Sequence, residues 1–228
     1  MIRLLKESFM NRVKVKICGI RSLAEAEAAV EAGADALGFN FWPGSPRYIT
    51  TESAREIITS LSPLVANIGV FVNETQRAIE AIATDLRLAA VQLHGDESRA
   101  FCAGITAAKT IKAIRVTEAF EPNSIKCYPA SMILLDTGLS GSYGGTGKTF
   151  DWSVAVECAG LARIMLAGGL TAENVGEAIA KVRPAAIDVC SGVESEPGRK
   201  DLAKLRDFMR AVTKANSKLP HAGRVQCL

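Results

Sequence analysis

The chain is expected to fold as a single (β/α)8 TIM barrel, and three features carry that expectation. Short apolar strands alternate with helical stretches along most of its length. Eight such units follow one another, about 20 to 30 residues apart, which is the barrel count. No Pro- or Ser-rich linker divides them, and 228 residues suit one compact barrel. The strand–helix pattern alone also allows an open doubly wound sheet.

The first unit sets the pattern. Val13, Val15 and Ile17 alternate with Lys14, Lys16 and Cys18, which is strand periodicity, and Gly19 breaks the run. Ser22 then caps an Ala/Glu-rich helix that reaches about Gly33. The second strand is Ala36–Phe41 with its helix at Thr51–Leu61, and the third is Asn67–Val72 with its helix at Glu74–Thr84. Ala89–Leu93 and Ser98–Ala103 make the fourth unit; Thr110–Val116 is the fifth strand, followed by a weak helical stretch. The last three units pair Met132–Asp136 with Asp151–Ala159, Arg163–Ala167 with Ala172–Lys181, and Ala186–Cys190 with Asp201–Thr213. Strand–helix–strand repeats of this kind pair in parallel through right-handed crossovers. Residues 13–213 form the barrel, 1–12 a loose N-terminal extension and 214–228 a polar tail. Met10 just before the first strand is an alternative start to Met1.

Composition narrows the function. A net charge of +3 and 6% aromatics argue against a nucleic-acid or membrane-surface protein. No 18-residue apolar run is present, and Lys6 with Glu7 interrupts any signal-peptide pattern near Met1. Six cysteines (18, 102, 127, 158, 190 and 227) lie far apart, with no C-x-x-C pair and only two histidines, so no metal site is expected. Dispersed thiols point to a reduced, cytoplasmic protein in which the cysteines other than Cys18 are filler. The expected state is a monomer acting on a small molecule.

Two residues stand out as candidate acid/base groups. Cys18 closes the first strand, on the rim where parallel α/β folds place their chemistry. A free cysteine is usually a small buried hydrophobe; here alternation puts Lys14, Lys16 and Cys18 on one inward face, and a neighbouring ammonium favours the thiolate. Lys16 needs a partner if it is buried, and Asp188 on the last strand lies on the matching phase. Asp136 ends the strand Met132–Asp136 and reads as a helix cap, a solvated carboxylate, or a proton donor held neutral by apolar walls. A thiolate and a carboxylic acid across a barrel mouth would make an acid/base pair.

Binding residues follow from position as well. Gly168-Gly169 after strand seven and Ser191-Gly192 after strand eight match the place where TIM barrels hold phosphate. Arg47, in a loop stiffened by Pro43 and Pro46, is either a solvated charge or a fork for a carboxylate. His94 at the end of strand four is either a substrate ligand or a satisfied turn residue. The loop Gly141–Thr149 resembles a nucleotide-binding loop only superficially. A Walker A motif needs glycine at position 142, which is serine, so a lid over the barrel mouth is the better reading.

Several strings, taken in order, resemble the phosphoribosylanthranilate isomerase family. They are Lys16-Ile17-Cys18-Gly19; Gly38-Phe39-Asn40-Phe41 with Ser45-Pro46-Arg47-Tyr48; Gln92-Leu93-His94-Gly95-Asp96; Asp136 with Gly144-Gly145-Thr146-Gly147; Leu166-Ala167-Gly168-Gly169-Leu170; and Asp188–Glu194 with Pro197-Gly198 and Lys200-Asp201. The resemblance implies an Amadori rearrangement of N-(5-phosphoribosyl)anthranilate in tryptophan biosynthesis, without metal or organic cofactor. It implies Asp136 as general acid on the furanose oxygen and Cys18 as the base that removes the C2 proton. It further implies Arg47 on the anthranilate carboxylate and the last two strand loops on the phosphate. Another phosphosugar enzyme on the same barrel, or a silent barrel serving as a binding partner, is the competing reading.

Overall fold

Eight parallel strands lie side by side in chain order and close on themselves. They are β1 (Lys14–Cys18), β2 (Ala36–Asn40), β3 (Ala66–Phe71), β4 (Ala90–Leu93), β5 (Lys109–Val116), β6 (Met132–Thr137), β7 (Ile164–Leu166) and β8 (Ala186–Val189). The computed structural model describes residues 12–137 and 149–219. Residues 1–11 of the expected extension at 1–12, the glycine-rich stretch 138–148 and residues 220–228 lie outside the described residues.

The outer layer consists of α1 (Leu23–Glu31), α2 (Thr51–Ser60), α3 (Gln76–Asp85), α4 (Arg99–Gly104), α5 (Trp152–Ala159), α6 (Val175–Val182) and α7 (Leu202–Asn216). Most begin on a side-chain cap: Ser22, Thr50, Thr75, Ser98, Asp151 and Asp201 each accept from a backbone N–H of the first turn. The weak helical stretch after β5 is a 3₁₀ turn over Pro122–Cys127. No helix among the described residues is long and apolar enough to cross a membrane.

Alternation along the strands sorts side chains into two cores. Ala36, Ile68, Ala90, Ile111, Ala113, Leu134, Met165, Ala167 and Ala186 face inward and fill the barrel. Ile17, Leu37, Phe39, Val91, Leu93, Ile133, Leu135 and Ile187 face outward and meet the helices, where all are at most 2% exposed. The inward phase then fixes the upper rim. Two residues past inward Leu134 comes Asp136, two past Ala90 comes Gln92, and two past Ala186 comes Asp188.

Three elements differ from the sequence expectation. Helix α6 starts at Val175, not Ala172, because Asn174 holds the preceding loop, accepting from Thr171 N and donating to Gly169 O, both at 2.8 Å. Helix α7 continues to Asn216, so the expected tail boundary at 214 falls inside it; Asn216 Oδ1 there accepts from Val13 N at 2.9 Å. A two-stranded hairpin, β9 (Glu194–Glu196) and β10 (Arg199–Lys200), was not foreseen at all.

Candidate active site

Barrel closure decides the chemistry at β1. Lys16 lies beside Asp188 in the β1–β8 register, and its Nζ donates to Asp188 Oδ1 and to Gln92 Oε1, both at 2.9 Å. Its side chain is 1% exposed. Lys14, on the same phase but at the far end of β1, stays exposed and reaches Asp35 instead. Burial opposes the Lys16 charge, yet Asp188 and the Cys18 sulfur together hold its pKa above the usual lysine value. Burial and the Cys18 thiolate push Asp188 up to about 7, against the pull of Lys16. We take the pair as ionised, since the ammonium donates to both of its oxygen partners. Asp188→Asn should therefore strand a buried cation and cost about 3 kcal/mol, or roughly 6–12 °C in melting temperature. Thermal unfolding would measure it; an unchanged midpoint would mean that Lys16 does not depend on this carboxylate.

Cys18 is 8% exposed and packs against Gly38 on β2. A Cβ at Gly38 would come within 2.8 Å of Cys18 Sγ and 2.9 Å of Lys16 Cε, so only glycine leaves both side chains their positions. The Cys18 pKa is drawn well below that of a free thiol. The Cys190 thiol hydrogen-bonds it, and Lys16 and Lys200 add positive charge, which together outweigh burial. These neighbours favour the thiolate form of this sulfur. Cys158, by contrast, is pushed up to about 11 by burial.

Asp136 is 7% exposed at the end of β6. Its Oδ1 accepts from Thr137 N at 2.8 Å, and its Oδ2 stands 3.3 Å from His94 Nε2. The histidine tautomer follows from donor counting. Lys16 can only donate, so Gln92 turns Oε1 toward it and its amide Nε2 toward His94 Nδ1, 2.7 Å away. The ring proton then sits on Nε2, facing Asp136, though the alignment falls short of a hydrogen bond. One polar chain thus runs across the barrel, Asp188–Lys16–Gln92–His94–Asp136.

Arg47 is 13% exposed and spends one edge on Glu194, with Nε 3.2 Å from Oε1 and Nη2 2.7 Å from Oε2. Glu194 Oε1 also accepts from Lys200 Nζ at 2.9 Å. Burial would raise the Glu194 pKa, but these two cations hold it down to about 2. The Nη1 side of Arg47 has no hydrogen bond among the described residues. The clamp is thus braced from behind.

All eight expected site residues (Cys18, Arg47, His94, Asp136, Gly168, Gly169, Ser191 and Gly192) line one cleft, open to solvent at the carboxyl ends of the strands. Beside Asp136, the loops after β7 and β8 meet. A Cβ on Gly192 would fall 1.9 Å from Leu170 O, which fixes glycine there. The backbone N–H groups of Gly169, Ser191 and Gly192 have no acceptor among the described residues, an arrangement suited to an anion.

Sequence reasoning missed Gln92, Glu194 and Lys200, and it took Cys190 for filler. Cys190 lines the cleft beside Cys18. Its inward phase on the last strand was readable; the hairpin that carries Glu194 and Lys200 had only Pro197-Gly198 as a signal.

Comparison with known proteins places the chain in a family. The family model of N-(5'phosphoribosyl)anthranilate (PRA) isomerase matches residues 15–211. The N-(5'-phosphoribosyl)anthranilate isomerase of Trichlorobacter lovleyi is 50% identical over 204 residues, spanning 89% of this chain and 99% of that protein. The enzyme of the same name from Pelobacter propionicus is 48% identical over 205 residues, 90% of this chain and 98% of its own length. The crystal structure of phosphoribosyl anthranilate isomerase from Thermotoga maritima superposes with a TM-score of 0.82 at 43% identity, covering 89% of this chain and 99% of that one. A phosphoribosyl anthranilate isomerase solved in complex with reduced 1-(o-carboxyphenylamino)-1-deoxyribulose 5-phosphate superposes at 0.80, with 43% identity and the same coverage. The chain therefore belongs to the N-(5'-phosphoribosyl)anthranilate isomerase family.

Proposed function

We propose that this chain converts N-(5-phosphoribosyl)anthranilate to 1-(2-carboxyphenylamino)-1-deoxyribulose 5-phosphate, an Amadori rearrangement run by two of its own side chains. The observation that carries the reading is a single cleft lined by a thiol, a carboxyl group, a guanidinium and an anion cradle, each at a different strand end.

The phosphate sits in the cradle of Gly168, Gly169, Ser191 and Gly192, and the anthranilate carboxylate meets the free edge of Arg47. That pins the substrate at both ends and lays the pentose across the mouth. Asp136 protonates the furanose oxygen, C1–O breaks, and the ring opens to an iminium. Asp136 must hold its proton at that moment. The Cys18 thiolate removes the proton from C2, and the electron pair moves to give an enolamine, which tautomerises to the ketone. Both proton transfers are internal to the cleft, and the atoms of substrate and product are the same. Lys16 keeps Cys18 ionised, and the Gln92–His94 pair orients the ring beside Asp136.

The direct test is the loss of anthranilate fluorescence when the purified protein is given phosphoribosylanthranilate. Turnover without added metal is expected, and no turnover would reject the reading. Arg47→Ala should act mainly on KM, raising it roughly 10- to 100-fold, the worth of one charge-assisted hydrogen bond of about 1.5–3 kcal/mol. Glu194 keeps Lys200 as a partner in that variant, so a KM left unchanged would place the carboxylate elsewhere. One chain supplies every residue used here, and we read the protein as a monomer working in the cytoplasm.

A further inference from the structure

The cleft contains a second sulfur that the isomerisation does not need. In the β1–β8 register Ile17 pairs with Val189, the residues that immediately precede Cys18 and Cys190. Neighbouring parallel strands lie about 4.8 Å apart, inside the window that a disulfide spans between Cα atoms. The Cys190 sulfur leans toward this end of β1: a Cβ built on Gly19, the residue after Cys18, would lie 3.1 Å from Cys190 Sγ. Both residues line the solvent-open cleft, so a small oxidant can reach them.

We propose that Cys18 and Cys190 form a peroxide-sensitive pair, in which oxidation of Cys18 is captured by Cys190 as a reversible disulfide that silences the site.

The surroundings suit each step. The thiolate of Cys18 attacks one peroxide oxygen, the O–O bond breaks, and the departing oxygen leaves as water; the sulfur becomes a sulfenic acid. Cys190 then attacks that sulfur, the S–S bond forms, and the hydroxyl departs as a second water. Two thiols are oxidised by two electrons and one peroxide is reduced to two waters. Lys200 Nζ, fully buried, stands 3.7 Å from Cys190 Sγ and can steady the attacking thiolate as the proton leaves. Glu194 Oε1, 3.6 Å from the same sulfur, holds the thiol proton in a hydrogen bond, and the departing hydroxyl takes that proton as it leaves as water. With no second thiol in reach, a sulfenic acid is open to further, irreversible oxidation.

The loss of turnover rests on Cys18 being the base; the cross-link itself does not. The full-length protein is exposed to hydrogen peroxide, alkylated and mapped by peptide mass, with turnover followed in parallel. A peptide joining Cys18 to Cys190 should appear as activity falls, and dithiothreitol should reverse both. The Cys190→Ser variant, compared with its own untreated rate, should give no cross-link, accumulate sulfinic acid at Cys18 and stay inactive in dithiothreitol. Wild-type protein in which Cys18 stays unmodified or becomes sulfinic acid, with no peptide linking it to Cys190, overturns the pair. So does a serine variant that recovers as fully as wild type. A cross-link that forms while turnover persists upholds the pair and instead removes Cys18 from the catalytic role.

Discussion

Cys18→Ala lowers kcat by roughly 10²- to 10⁴-fold while the product analogue still binds, because the methyl side chain can accept no proton from C2. The size of the loss reflects how far the fold has gone to ionise this sulfur. An ordinary thiol near pKa ~8.5 is a few per cent thiolate at neutral pH. Here the Cys190 thiol, Lys16 and Lys200 each favour the anion in a site where burial alone would oppose it. The sign of the pH effect follows. A base works only when deprotonated, so activity is lost as pH falls through the Cys18 pKa, and a lowered pKa carries activity to lower pH. Removing one cation reverses part of that shift: Lys200→Met should move the acid limb of the kcat/KM profile upward. Glu194 remains paired with Arg47 in that variant, which protects the fold. Steady-state kinetics across pH decides the matter; near-native turnover by Cys18→Ala would take the base role from this residue.

The parts of this site that the sequence displays are those that depend on strand phase. Period-two alternation alone puts Lys16, Cys18, Asp136 and Asp188 on the inner wall, and the closing of eight units brings Lys16 against Asp188, 172 positions apart. The end-of-strand positions of Gly168-Gly169 and Ser191-Gly192 were readable in the same way. What escaped depends on contacts with no local pattern. Arg47 meets Glu194 across 147 residues through a hairpin whose strands have three and two residues, too short for any periodicity to register. Gln92 looks like an ordinary strand residue until its amide is seen between an ammonium that can only donate and a ring nitrogen that must then accept. Helix α6 shows the same limit in miniature, since the apolar pattern from Ala172 is helical and the Asn174 side chain overrides it.

Asp136→Asn should cost kcat a similar factor, roughly 10²- to 10⁴-fold, for a different reason. The amide has nearly the shape of the carboxyl, so the cleft and its phosphate cradle stay as they are. It cannot, however, release a proton to the furanose oxygen, and ring opening loses its acid. The hydrogen-bond accounting adds a smaller penalty. In the native site Thr137 N donates to Oδ1, and the Nε2–H of His94 faces Oδ2. An amide has one oxygen for these two donors, so either rotamer sets an N–H against an N–H. That strain falls on free and liganded enzyme alike, and binding should change much less than turnover. Calorimetry with reduced 1-(o-carboxyphenylamino)-1-deoxyribulose 5-phosphate separates the two: a Kd within a few-fold of wild type beside a collapsed kcat assigns Asp136 to proton delivery. A Kd weakened as much as kcat would make it a binding residue, and a kcat near wild type would require some other group to protonate the sugar oxygen. His94, whose Nε2–H points at the same spot, would then be the first to test.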